Sequence, residues 1–177
     1  MGEWSVYYVP NKQSAFLGHI RDVVDAFWLK GIFLETEDCY GDEKLRLARE
    51  AGTHLPDWTH DFQFAGMGVV ESIHGDIVPN VVYDLICPRC KQAVMDEAYE
   101  VFNDDYDQVV LDLQIKCSKC ESVFKARKLE STDTPFTFAQ FYLYVSDSPH
   151  PDEFDKSFRD TVEQVLGPCR EFFEFAT

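Results

Sequence analysis

The chain has 177 residues, 45% of them apolar and 15% aromatic, with 9 Gly and 8 Pro. That composition excludes collagenous, low-complexity and disordered classes and suits one packed domain carrying a small insert. Acidic residues number 32 against 16 basic ones, and the formal net charge of -16 disfavours binding to phosphate polyanions unless a basic patch is set apart. No apolar run approaches the roughly 20 residues of a membrane helix, and residues 1–10 lack the basic and apolar segments of an export signal, so a cytoplasmic protein is expected.

In chain order, Trp4 to Val9 reads as a strand ended by Pro10. Ser14 is the expected N-cap of a helix whose apolar stripe is Phe16, Leu17, Ile20, Val23, Val24, Phe27 and Trp28, with Gly31 as its stop. Ile32-Phe33-Leu34 returns as a strand, and a second helix is expected from Asp42 to Ala51, stopped by Gly52. Near the C-terminus, Phe138 to Val145 reads as a strand. A helix follows, opened by Pro151 and Asp152, with a stripe of Phe154, Phe158, Val162, Val165 and Leu166. Gly167-Pro168 ends it, and Glu171 to Phe175 forms a last strand. The order of signals predicts an α+β fold: a two-layer sheet with helices on one face, built as a split β-α-β, ferredoxin-like layer. Residues 1–80 and 131–177 would form its halves, and 81–130 an insert between them.

The insert carries the clearest chemistry. Four of the six cysteines fall into two identical spacings, Cys87-Pro-Arg-Cys90 and Cys117-Ser-Lys-Cys120, with 26 residues between the pairs. Each spacing sets two thiols on one tight turn, and four sulfurs with no open position are what a structural zinc uses. Residues 81 to about 130 resemble a zinc ribbon in this respect. The resemblance implies one structural Zn²⁺ held by Cys87, Cys90, Cys117 and Cys120, with a strand before each turn, here Val81 to Ile86 and Val109 to Ile115. The glycine often found after the second Cys of such a turn is replaced by Lys91 and by Glu121. A redox CxxC and a rubredoxin-type iron site are the alternatives.

Beside the second turn, Lys116, Lys119, Lys125, Arg127 and Lys128 oppose only Glu121. Four thiolates and one Zn²⁺ carry a net charge of about -2, which lysines beside the turn offset. Lys125, Arg127 and Val123 alternate along Ser122 to Leu129, and compensation does not require them there; Lys125, Arg127 and Lys128 are therefore the candidate binding cations.

Outside the insert, His54, Asp57, His60, His74 and Asp76 could titrate or coordinate near neutral pH, but Pro56 marks a loop and no HExxH spacing occurs. Trp58 in that loop reads as a staple on the core or an anchor for a partner. Gly66-Met67-Gly68 is too short to cradle phosphate, and neither nucleotide-binding glycine motif occurs. Acidic neighbours oppose a Cys39 thiolate, and Cys169 reads as a small buried residue. The expected function is a non-catalytic module that binds another protein, a basic one by charge, through an acidic surface, with no membrane association. A nucleic-acid-binding ribbon and a hydrolase or transferase using the His54 to His74 loop are the alternatives.

Overall fold

Alternate side chains along three strands meet the apolar stripes of two helices, and this fixes the larger part of the protein. The computed structural model describes residues 3–30, 33–39, 42–47, 66–79, 82, 84–104, 110–148, 150, 152 and 156–176. Its strands are β1 (Glu3–Pro10), β2 (Phe33–Cys39), β3 (Asp42–Leu47), β4 (Gly66–Val78), β5 (Leu85–Ile86), β6 (Gln114–Lys116), β7 (Val123–Lys125), β8 (Glu130–Ser131), β9 (Thr137–Ser148) and β10 (Cys169–Ala176). The helices are α1 (Ile20–Leu29), α2 (Met95–Asp104) and α3 (Lys156–Leu166). None of them is long and apolar enough to cross a membrane.

The chain divides into two compact units, one of residues Met1–Glu71 with Phe141–Thr177 and one of Ser72–Gln140. The larger sheet has six strands in the order β10-β1-β9-β4-β3-β2. β1 is antiparallel to both β9 and β10, so these two run parallel with β1 between them, and β9-α3-β10 is a split β-α-β. Val6, Tyr8, Met67, Val69, Phe141, Leu143 and Val145 alternate on one face of this sheet. They pack on Val23, Val24 and Phe27 of α1 and on Phe158, Val162 and Leu166 of α3 in a single buried cluster. The fold is therefore α+β with helices on one sheet face, as the sequence implies. Gly167, at φ 71°, ends α3 in the left-handed conformation that glycine adopts without a side-chain clash.

In the Ser72–Gln140 unit, β5 pairs with β8 and β6 with β7, both antiparallel. Val82, Leu85, Val94, Ala98, Leu113, Ile115, Ala126 and Leu129 form its buried core, together with Cys87 and Cys117.

Several local expectations are corrected. The helix expected over 42–51 is absent from its described part: Asp42–Leu47 is β3, paired with β2 on one side and β4 on the other. Good helix-forming residue types lose there to pairing on both edges, and Leu45 and Leu47 in fact keep a strand's two-residue spacing. The first helix begins at Ile20, after a short 3-10 turn over Gln13–Ala15 and a bend at Gly18, so Ser14 is no N-cap. β2 lies at the far edge of the sheet, with three strands between it and β1, so β1-α1-β2 is not a local unit. The strand before the second cysteine turn shrinks to Gln114–Lys116, preceded by a 3-10 turn over Val110–Asp112. Before the first turn, only Leu85–Ile86 is strand among the described residues. Helix α2 lies between the two cysteine turns, where no helix was foreseen.

Candidate metal centre

Each CxxC turn is closed by the same two backbone bonds. Lys91 N–H donates to Cys87 O (2.9 Å) and Cys87 N–H to Gln92 O (2.9 Å). In the second turn, Glu121 N–H donates to Cys117 O (2.9 Å) and Cys117 N–H to Ser122 O (3.0 Å). The pattern bends the chain through a left-handed residue just after the second cysteine, and Lys91 (φ 58°) and Glu121 (φ 56°) take that conformation where glycine is usual. Both turns thus keep a knuckle geometry without the glycine.

The folding of this unit brings the two turns together. The Sγ atoms of Cys87, Cys90, Cys117 and Cys120 all lie within 4.8 Å of one another, the one metal-competent cluster among the described residues. Cys87 Sγ is 3.8 Å from Cys120 Sγ, and Cys90 Sγ is 3.7 Å from Cys117 Sγ. A tetrahedron with Zn–S bonds near 2.3 Å has sulfurs about 3.8 Å apart, so the donor set and its spacing fit one such ion. The separations are far longer than an S–S bond of about 2.05 Å. Cys87 and Cys117 are buried, while Cys90 and Cys120 are partly exposed. Helix α2 ties the turns in place: Leu85 N–H donates to Met95 Sδ (3.2 Å), and the Glu97 carboxylate accepts from Ser118 N–H (3.1 Å).

Electrostatics around the sulfurs favour thiolate at chosen positions. Burial opposes ionisation of Cys87, but the Cys90 amide, the Ser122 hydroxyl and the Arg89 amide outweigh it and lower the thiol to about 6. Ser122 also lowers Cys120, its Oγ lying 3.0 Å from that sulfur. At Cys90 the Gln92 amide favours the thiolate, yet desolvation and proton sharing with the other three sulfurs push the thiol up to about 11. A cation bound among the four would replace those shared protons.

The candidate binding cations are placed differently from one another. Lys125 ends β7, whereas Arg127 and Lys128 lie in a 3-10 turn over Ala126–Lys128, so the alternating strand face expected over Ser122–Leu129 is not formed. Lys125 Nζ (2.7 Å) and Arg127 Nη2 instead converge on Asp112 Oδ1, in the turn before β6. Asp112, Ser122 and Glu97 are the site residues the sequence did not single out, since their roles depend on turns and a helix that no local pattern announces. Lys116, Lys119 and Lys128 are exposed.

His54, Asp57, Trp58 and His60 lie outside the described residues. His74 falls within β4, and Asp76 accepts from Ser72 Oγ (2.9 Å). Cys39 closes β2. Cys169 opens β10, where burial first, then Glu163 and Glu171, push its thiol up to about 12, which favours the protonated form over the nucleophilic thiolate.

No protein-family model, no curated protein and no solved structure matches this chain.

Proposed function

We propose that this protein is a zinc-stabilised, non-catalytic binding module in which the four-sulfur centre holds the Ser72–Gln140 unit folded. The observation carrying this reading is the cluster of Cys87, Cys90, Cys117 and Cys120 within 4.8 Å, with cross-turn separations matching a tetrahedral site. Four protein sulfurs leave no open position for water or substrate, which favours a folding role over catalysis. The ribbon-like pairing of two knuckles supports zinc over iron by resemblance alone, so metal identity is part of the test.

The partner in this reading is a basic protein. Asp22 and Asp25 on α1 and Asp160 and Glu163 on α3 are exposed on the outer faces of those helices, and their chain carries a net charge of -16. Such a field speeds association with a cationic surface at low salt. Nucleic-acid binding through Lys125 and Arg127 is the weaker reading, because Asp112 already engages both cations.

Elemental analysis of the purified protein tests the metal: about one zinc per chain is expected, and strong chelation should unfold the Ser72–Gln140 unit. A Cys90→Ser variant that keeps its metal and its stability overturns the four-sulfur assignment. An affinity capture with metal-replete protein tests the partner. Retention of basic proteins that is lost on charge reversal at Asp22 and Asp25 supports the acidic surface, and retention unchanged by that reversal removes it.

A further inference from the structure

β10 is an outermost strand of the six-stranded sheet, and among the described residues only β1 pairs with it. Proteins usually guard such an edge with lysine, proline or a bulge, because its free N–H and C=O groups template pairing with another chain. β10 is guarded only by charge, at Arg170, Glu171 and Glu174, and of these Glu171 is already ion-paired with Arg159 of α3. Its sequence, Cys-Arg-Glu-Phe-Phe-Glu-Phe-Ala, holds no Lys or Pro, and its register with β1 runs unbroken over all eight residues. Phe173 and Phe175 are 40% and 46% exposed, two of the four large hydrophobic residues exposed among those described. Phe175 also extends an aromatic surface, its ring centroid 4.8 Å from that of Trp4 on β1.

We propose that two copies of this chain pair through β10, continuing the sheet across a twofold axis. The charge pattern of the strand is self-complementary in one register. Facing residues of two paired strands point to the same sheet face, so a twofold axis between two antiparallel copies of one strand must pass beside a residue rather than between residues. An axis at Glu171 or at Glu174 sets two carboxylates against each other, which is unfavourable. An axis at Phe173 sets Phe172 against Glu174 and forms no charge pair. An axis at Phe172 sets Arg170 against Glu174 of the second copy, and does so twice. The same register brings Phe173 against Glu171 and Phe175 against Cys169, covering both exposed rings with the neighbouring strand.

Within one chain these groups are already set on the strand face that the pairing uses. The Arg170 guanidinium lies over the Phe172 ring, 5.5 Å from its centroid. Glu174 Oε2 accepts from Tyr7 Oη (2.7 Å), and a carboxylate accepts further hydrogen bonds, so it can also receive Arg170 of a second copy. The pairing makes no use of the four-sulfur centre and stands or falls independently of it.

Sedimentation velocity on the full, metal-replete chain tests the proposal. A species of twice the 20.5 kDa chain mass should form reversibly as concentration rises. Arg170→Glu and Glu174→Arg should each weaken dimerisation by about tenfold or more, and the double exchange R170E/E174R should restore it to near the original level. Phe173→Lys places a guard on the edge and should also dissociate the dimer, with far-ultraviolet dichroism showing the monomer still folded. Because Glu174→Arg also removes the Tyr7 bond, far-ultraviolet dichroism must show it folded; if it is not, Arg170→Glu and Phe173→Lys carry the test. A protein that stays monomeric at high concentration overturns the proposal. So does a dimer that ignores all of these changes, or a double variant as weak as either single one.

Discussion

Cys87 and Cys120 stand 33 residues apart in the chain and hold their sulfurs 3.8 Å apart. Two protonated thiols gain little from that approach, whereas two thiolates sharing a cation gain a great deal. Metal uptake must therefore displace protons, chiefly from Cys90, whose thiol is pushed up to about 11, while Cys87, lowered to about 6, is already ionised at neutral pH. The sign follows: affinity rises with pH while Cys90 must lose its proton, and falls more steeply once the solution drops through about 6 and Cys87 is protonated as well. Between pH 7 and 6 we expect at least about a tenfold loss of apparent affinity, one proton per pH unit, read by competition with a chromophoric chelator. A pH-independent affinity contradicts the assignment.

The left-handed residues of the two turns give a second test. An L residue in that conformation carries a penalty of roughly 1–2 kcal/mol, part of which glycine removes. Glu121 makes no described side-chain bond that glycine would delete, whereas Lys91 is ion-paired with Glu130. Glu121→Gly should stabilise the Ser72–Gln140 unit by up to about 1 kcal/mol after the added chain entropy of glycine is subtracted. Lys91→Gly should gain less, because it also loses a surface ion pair worth about 0–1 kcal/mol. Denaturant unfolding of the metal-replete variants measures both.

In the larger sheet, Gly68 is required for a different reason, close approach. A Cβ there would lie 2.7 Å from Cζ and from Oη of Tyr144, whose ring crosses the strand. Gly68→Ala should cost about 1–3 kcal/mol by overpacking. In a Tyr144→Ala background the clash is gone, and the same change should be neutral or stabilising by about 0.4–1 kcal/mol through the unfolded chain. A cost that persists without the ring places the constraint elsewhere.

What the sequence disclosed depended on how local each signal was. The four sulfurs were readable because each pair lies three residues apart, and the long chain between the pairs does not blur the spacing. β1, β9, α3 and β10 were readable from alternation, from a helical stripe and from Gly167. β3 was not, because Asp42–Leu47 is rich in charged residues that suit a helix, and only its pairing with β2 and β4 makes it a strand. Phe16 and Leu17 matched a helical stripe, yet they pack on the core from a segment ahead of α1. Val94, Ala98 and Val101 recur at helical spacing before and within α2, but acidic residues dilute the stripe and the cysteine turns on either side suggested strands. The pairing of Lys125 and Arg127 with Asp112 could not be foreseen, since it requires two 3-10 turns to face each other.

That last pairing has a consequence at acid pH. Lys125, and after it Arg127, hold the Asp112 carboxyl below its ordinary value of 3.8. A group whose folded value is depressed contributes stability that is complete above its unfolded value and is lost as pH falls through the folded one. Wild-type protein should therefore lose this contribution below about pH 4, and Asp112→Asn should lack it at every pH, so the two stability curves converge on acidification. All three side chains are about half exposed, so the difference should be small and should vanish in molar salt. Denaturant melts at pH 7 and pH 3, each at low and high salt, measure it. A gap between the variants that survives both acid and salt would mean that Asp112 acts through packing of its turn rather than through its charge.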